Sequence, residues 1–321
     1  MSPNSFDWLN KDVHLFVVIV GFICLLYLSL KYCWLCFYAC KTFVYGRWRK
    51  IDLLSHYGEY VVITGATDGI GLEFAKQFAQ NGHSIVALGR NESKLKNVKA
   101  MIEPLLFDGR NVITVQADLN STDTTIYQRV AEQLRPFKDR IAILINNAGV
   151  GTGKPDEFLN ISEQEILTNI HVNIIGVLMV TRAVLPFMTE NRKGLIINVS
   201  SMAAYRPVPF GACYSASKKF VQYFGSAIRY EYKKYNIHVQ TLYPSFVATK
   251  MAEWSTFGKA DSVLTPTTYE YVKSVMGTIG RSNDTSGYWS HAIFGTLSML
   301  LPSDLYNVIA DYTKTVITIK R

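Results

Sequence analysis

A tyrosine and a lysine stand four positions apart at Tyr214 and Lys218, inside the small-residue stretch ACYSASKKF. If that stretch is helical, both side chains leave one face as neighbours. A fixed ammonium beside a phenol favours the phenolate and so lowers a pKa that is ordinarily about 10. Such a pair can protonate a carbonyl oxygen. The spacing recurs at Tyr230/Lys234 and Tyr269/Lys273, and an amphipathic helix with a solvated lysine would also produce it. The surroundings discriminate. Ser200 and Ser201 close the apolar run Leu195 to Val199, and Ser201 lies thirteen positions before Tyr214 across the Pro- and Gly-containing loop AAYRPVPFGA. The chain can therefore turn back and bring the two hydroxyls together. Ser217, thirteen positions before Tyr230, would sit about 20 Å away along one helix, and Tyr269 has no strand-end serine before it. The first pair is the candidate catalytic pair.

The elements that must position it read as alternating strands and helices. Tyr60 to Thr64, Ser84 to Gly89, Val112 to Gln116, Ile141 to Ile145, Leu195 to Val199 and Ile237 to Tyr243 are short, apolar and β-branched. Helical patterns lie between them, among them Leu72 to Gln80, Thr124 to Leu134 and Glu163 to Met188. Strands apolar on both faces and separated by helices predict a parallel sheet covered on both sides, a doubly wound, Rossmann-type α/β architecture. Residues 51–321 read as one catalytic domain. Within it, 245–283 read as loop and short helices, a substrate-side excursion after the sixth strand.

The first strand runs into VVITGATDGIGLEFAKQF, with Gly65, Gly69 and Gly71 at the strand-to-helix turn. Glycines there permit a tight bend, and the backbone N–H groups of Thr67, Ile70 and their neighbours can then approach a pyrophosphate at a helix N-terminus. The spacing is G-x-x-x-G-x-G, so the generic G-x-G-x-x-G fingerprint is not met. The second strand ends in Gly89-Arg90 where an NAD site would place a carboxylate; an arginine pairs with a 2′-phosphate, so NADPH is expected over NADH. Asp118, after the third strand, could accept from the adenine amino group or cap a helix. INNAG, in which Asn146 to Gly149 include Asn147, ends the fourth strand in compact residues that let the chain pass close to a cofactor.

The chain has 321 residues, is nearly half apolar and carries a formal charge of +8. This composition excludes disorder. The basic residues are scattered with no interleaved aromatic platform, so a nucleic-acid partner is not expected and the charge suits a membrane surface or an anionic ligand. Val13 to Leu30 is an eighteen-residue run without Asp, Glu, Lys or Arg, about 27 Å as a helix, enough to cross a bilayer core. No small-residue cleavage motif closes it, so residues 1–50 read as a retained anchor and linker. Lys31, Lys41, Arg47, Arg49 and Lys50 crowd its C-terminal side, which places the large domain in the cytosol by the positive-inside rule. Cys24, Cys33, Cys36 and Cys40 lie in or beside this run and only Cys213 lies beyond it; Cys33 and Cys36 have no partners at zinc spacing, and no metal site is expected. The sequons at Asn91, Asn120, Asn160, Asn198 and Asn283 are incidental on that topology.

Thr64, Gly65, Gly69, Gly71, NNAG, Asn173, Ser201 and Tyr214/Lys218, in this order, resemble the short-chain dehydrogenase/reductase family across roughly Gly58 to Ser245. The anchor, YSASK, PSFVATKM and TSGYWSHAIFG are similar to its microsomal 17-beta-hydroxysteroid dehydrogenase and very-long-chain 3-oxoacyl-CoA reductase branch, which includes hydroxysteroid dehydrogenase-like proteins. The resemblance implies that Tyr214 is the general acid/base, that Lys218 lowers its pKa and holds the nicotinamide ribose, that Ser201 polarises the carbonyl and that Asn173 holds a water in the proton path. It implies NADP(H), a lipophilic acyl-CoA or steroid ketone as substrate, an endoplasmic reticulum membrane, and leaves room for a homodimer. HAIFGTLSMLLP is apolar but too short to span; it could border the substrate mouth, dip into the membrane face or be a core helix. Pro244-Ser245 stands where the family usually has Pro-Gly, so a side chain there could narrow the nicotinamide pocket. The expected activity is NADPH-dependent ketone reduction; the alternative is a nucleotide-binding membrane scaffold with little turnover.

Overall fold

The computed structural model describes residues 7–46, 51–151, 153, 155–252 and 262–319. Its centre is one parallel sheet of β1 (Tyr60–Thr64), β2 (Ser84–Gly89), β3 (Val112–Gln116), β4 (Ile141–Asn146), β5 (Gly194–Val199), β6 (Ile237–Leu242) and β7 (Asp284–Thr285), in the order β3-β2-β1-β4-β5-β6-β7. The six longer strands fall within a residue of the sequence reading. The two-residue β7 is too short to show a period of its own. It is recognised only by its pairing, Thr241 with Asp284 and Leu242 with Thr285.

Alternate residues of each strand feed two apolar layers, as the period of two requires. Val61, Ile63, Ile85, Ile143 and Ile197 pack under α3 (Gly69–Gln80), α4 (Glu92–Ile102) and α9 (Thr268–Thr278). Val62, Val86, Leu144, Ile196 and Val239 pack under α5 (Thr125–Leu134), α7 (Gly176–Asn191) and α8 (Ala212–Tyr232). Helices therefore cover both faces, which explains why strands such as β1, β4 and β5 are buried along their whole length. Strand order reverses between β1 and β4, and the C-terminal strand ends there open a crevice of the kind that receives ligands in such sheets.

The segment before the sheet is more structured than a linker. Asp52 caps the short α2 (Leu53–Tyr57), accepting from Leu54 N at 3.1 Å and Ser55 N at 3.2 Å, and Leu53 and Tyr57 enter the core.

The excursion expected over 245–283 is a difference from the sequence reading. Its second half is a core helix: Thr267 and Glu270 form a reciprocal cap at the start of α9, and Tyr271, Val272 and Val275 are fully buried. That spacing gives one apolar helical face, which closes the sheet beside α3. The part that departs from the core is thus 245–267, of which 253–261 lie outside the described residues.

At the N-terminus α1 (Asp7–Ala39) continues through π-helical turns at Cys40–Tyr45. Lys11–Tyr45 is long and apolar enough to cross a membrane, and none of its most apolar window is buried by protein. Its C-terminal end is docked: the Tyr38 hydroxyl donates to Ser282 Oγ at 2.8 Å and Thr42 is buried. Arg47, Arg49 and Lys50, counted above in the basic flank, lie outside the described residues. Glu163–Asn191 passes the same length and composition test, but it comprises α6 (Glu163–Ile170), a π-turn at His171–Ile175 and α7, and Val180, Val184 and Met188 in it belong to the core. At the C-terminus α10 (Trp289–Leu300) and α11 (Ser303–Ile319) form a corner of 119°.

Candidate active site

The cofactor side is built by a close approach of β1 and β4. Gly65 turns the chain out of β1 at φ 65° and Gly69 opens α3 at φ 54°, conformations glycine adopts without strain. A Cβ on Gly65 would lie 2.9 Å from Ala148 Cα, and one on Gly71 would run into the Gly65 carbonyl and the Asn147 amide. Asn147 donates to Thr64 O at 3.0 Å and to Gly65 O at 3.3 Å, while Thr64 Oγ1 accepts from the backbone N–H of Asn147 and Ala148, each at 3.0 Å. Asn147 therefore shapes the glycine turn through its side-chain N–H groups. Asp68 caps the turn, accepting from Gly69 N at 2.8 Å, and pairs with Lys250 at 3.0 Å. The N-terminus of α3, the positive end of the helix, lies at this cradle, a fit for a pyrophosphate.

Arg90 follows the end of β2 directly. Gly89 brings β2 against the turn, since a Cβ there would lie 2.9 Å from Thr67 Cγ2. The exposed Arg90 follows, and its guanidinium makes no hydrogen bond or ion pair among the described residues. Asp118 is exposed at the end of β3 and accepts from Asn120 N at 3.0 Å. It does not cap α5: Asp123 holds the first turn through Thr125 N at 2.9 Å. The capping alternative for Asp118 is thereby removed.

Ser201, Tyr214 and Lys218 come together across the crevice. Ser201 follows β5, accepts from Ala203 N at 3.1 Å and stands close enough to the Tyr214 phenol to pull its pKa down. Ser200 has a structural task, donating to Lys218 O at 2.7 Å inside the core. Lys218 is 4% exposed; its Nζ donates to Val199 O at 3.1 Å and lies 5.7 Å from the Tyr214 ring centroid. Gly149 leaves room for it, because a Cβ there would be 3.0 Å from Nζ and 3.3 Å from Asn173 Oδ1. Asn173, fully buried in the π-turn between α6 and α7, accepts from Val150 N and donates to Val150 O, both at 2.9 Å, and to Ser217 Oγ at 3.1 Å. The two other Tyr/Lys pairs lie outside the site. Tyr230 is 87% exposed, and Lys273 meets the Tyr269 hydroxyl at 3.3 Å on the solvent face of α9.

Burial dominates the electrostatics of the pair. Burial pushes the Tyr214 phenol up, and the group that pulls it down is Ser201; burial also brings Lys218 down to about 8. The ammonium donates to the Val199 carbonyl, and burial is the largest influence on both groups. A phenol in this state carries its proton at neutral pH and can donate it. The Ser245 side chain is half-buried, and its backbone N–H is held by His291 Nδ1 at 3.3 Å.

Arg206 and His291 were not legible as site residues. Arg206, between Ser201 and Tyr214, donates to Ser298 O at 2.8 Å and Leu301 O at 3.0 Å, reaches Ser303 Oγ at 3.3 Å and stacks 4.0 Å from the Tyr306 ring centroid. It fastens the α10–α11 corner to the catalytic loop from partners more than ninety positions away, for which no local pattern exists.

Residues 59–257 match the family model described as short chain dehydrogenase. The very-long-chain 3-oxoacyl-CoA reductase of Bos taurus is 36% identical over 309 residues, 95% of this chain and 95% of that protein. The inactive hydroxysteroid dehydrogenase-like protein 1 of Homo sapiens is 37% identical over 257 residues, 80% of this chain and 76% of that protein. Among solved structures, a short-chain dehydrogenase from Sphingobium yanoikuyae in complex with NADPH has a TM-score of 0.61 at 28% identity, covering 76% of this chain and 97% of that one.

The glycine cradle makes a direct prediction. In Gly71→Ala the new methyl must displace the Asn147 amide or the Gly65 carbonyl, and NADPH affinity should fall by at least about tenfold, ~1.4 kcal/mol. Fluorescence titration measures it; wild-type affinity in the folded variant would show that the turn is not the nucleotide cradle.

Proposed function

The chain belongs to the short-chain dehydrogenase family and is an NADP(H)-dependent oxidoreductase acting between carbonyl and hydroxyl groups; from that premise we propose that it is a membrane-anchored reductase of a lipophilic ketone, with a long-chain 3-oxoacyl-CoA as substrate. The observation that carries the reading is the intact set of Ser201, Tyr214 and Lys218 at the open edge of the sheet. The likeness to a protein named very-long-chain 3-oxoacyl-CoA reductase along nearly the whole chain supports the substrate class. So does an apolar border: Trp289, Ile293 and Leu297 are about half exposed on α10, the helix that Arg206 ties to the catalytic loop. The excess of basic residues suits the anionic coenzyme portion of such a thioester.

In the proposed mechanism Tyr214 donates its phenol proton to the ketone oxygen as negative charge develops there. Ser201 hydrogen-bonds the same oxygen and so favours the charged transition state. Lys218 supplies a positive charge close to the phenolate that Tyr214 becomes, and would hold the nicotinamide ribose. Asn173, held by Val150 and Ser217, would position a water through which Tyr214 regains its proton. The glycine turn with Thr67, Gly69, Ile70 and Gly71 would hold the pyrophosphate, Arg90 the 2′-phosphate and Asp118 the adenine. The chemistry that NADPH would supply when held there is the hydride for the carbonyl carbon.

The exposed span Lys11–Tyr45 supports an anchor in the endoplasmic reticulum with residues 51–321 in the cytosol as the catalytic domain. After alkaline carbonate extraction the full chain should remain with the membranes, and intact microsomes should leave the catalytic domain open to added protease; release by carbonate would refute the anchor.

Tyr214→Phe should lower kcat for a long-chain 3-oxoacyl-CoA by about 10²–10⁴-fold with NADPH affinity within about twofold of wild type. Unchanged turnover would assign the proton elsewhere, and absence of turnover by the wild-type enzyme on both this substrate and a 17-ketosteroid would favour a scaffold. Arg90→Asp should weaken NADPH by at least about tenfold more than NADH; equal losses measured by titration would remove Arg90 from the phosphate.

A further inference from the structure

His291 is fully buried, yet no step of the proposed reaction uses it. Its ring sits where three distant backbone groups converge. Nδ1 lies 3.3 Å from Ser245 N, and Nε2 lies 3.2 Å from both Phe246 O and Leu264 O. An amide N–H can only donate, so Nδ1 must accept; Nε2 then bears the proton and donates to the two carbonyls. Burial brings the group down to about 4, so the neutral ring that this arrangement requires is the form present at physiological pH. The rings of Tyr271 and Tyr288, 5.7 Å and 5.5 Å away between centroids, box it in.

The three partners are the two stems of the loop that leaves the core after β6. Ser245 and Phe246 lie on the outgoing stem and Leu264 on the returning one, and the stems also meet directly where Ala248 N donates to Pro266 O at 3.0 Å. The outgoing stem then crosses the cofactor cradle: Lys250 pairs with Asp68 at 3.0 Å, and Thr249 Cγ2 lies 3.2 Å from where a Cβ on Gly69 would be. At its root the Pro244 carbonyl accepts from Met202 N at 2.9 Å, next to Ser201.

We infer that His291 is a positioning residue: by joining both stems to α10 it holds Thr249 and Lys250 against the glycine turn and thereby sets the affinity for the dinucleotide. The inference rests on the assignment of that turn to NADPH. Nothing in the sequence marks the residue out, because its partners are 27 to 46 positions away.

Replacing His291 by Ala, Asn and Gln in the full-length enzyme separates this role from simple core packing. Gln can place an amide donor near Nε2 and keep both carbonyls, Asn can replace only the Nδ1 side, and Ala replaces neither. The dissociation constant for NADPH, read by fluorescence titration, should rise in the order wild type, Gln, Asn, Ala, reaching about tenfold in His291→Ala. Trypsin cleavage after the exposed Lys250 should quicken in the same order, and cleavage at Lys250 without nucleotide is a readout independent of turnover. If His291→Ala does not fold, the Gln and Asn variants decide. A Gln variant no better than Asn in both readouts, or a melting temperature that falls while affinity and cleavage stay at wild-type values, would overturn the inference and leave His291 a packing residue. Failure of the wild-type enzyme to bind NADPH would instead overturn the cofactor site itself.

Discussion

The close approach of the chain at the ends of β1 and β4 is the constraint on which the rest of the molecule turns. These neighbouring strands send their connections to opposite faces of the sheet, so their ends must diverge, and divergence alone would open a wide, wet gap. Thr64 and Asn147 prevent that. One hydroxyl accepts from two consecutive amides, and one side-chain amide donates to two consecutive carbonyls. Both glycine positions facing this clasp, Gly65 and Gly71, have no room for a methyl group. Specificity for the turn's shape thus comes from hydrogen bonds between strand ends.

The same narrowness reaches the catalytic groups. Gly149, two residues beyond Asn147, leaves the space that Lys218 Nζ and Asn173 Oδ1 share. The π-turn at His171–Ile175 widens the long α6–α7 helix where Asn173 must reach Val150, and π-turns often mark functional positions. A lysine buried to this extent is costly in its charged form, which is why its pKa falls and why the Val199 carbonyl matters as its acceptor. Burial disfavours the Tyr214 phenolate as well, so a positive charge and a hydroxyl close to the phenol matter most as its proton leaves.

Most of this was legible from residue order because the signals are local. The strand ends carry Gly65, Arg90, Asp118, Asn147 and Ser201 in sequence contexts only a few residues long, and the four-residue spacing of Tyr214 and Lys218 is a property of one helix. The choice of the first of three Tyr/Lys pairs also followed from a local argument, the strand-end serine, and the structure sets the other two on solvent faces. What escaped was non-local. The helix α9 lay hidden in the supposed excursion because Thr265, Pro266 and Thr267 before it read as loop; its place against α3 reveals it. The part Asn147 plays in holding the glycine turn was also hidden, because the sequence cannot say which way an amide faces.

Arg206 and His291 show how the substrate end is assembled from pieces that no local pattern relates. α10 is held at its N-terminal turn by His291 to the two stems after β6, and at its C-terminal carbonyls by Arg206 to the loop that carries Ser201 towards Tyr214. Gly295 lets the middle of the helix lie on Tyr205, where a Cβ would be 2.7 Å from the ring. A guanidinium on terminal helix carbonyls opposes the negative end of the helix dipole, so this contact is stabilising as well as geometric. One short apolar helix therefore fixes two backbone segments relative to each other, one beside the phenol and one over the glycine turn. The separation between proton donor and nucleotide cradle is thus set partly from outside the sheet, by a helix whose exposed face is apolar.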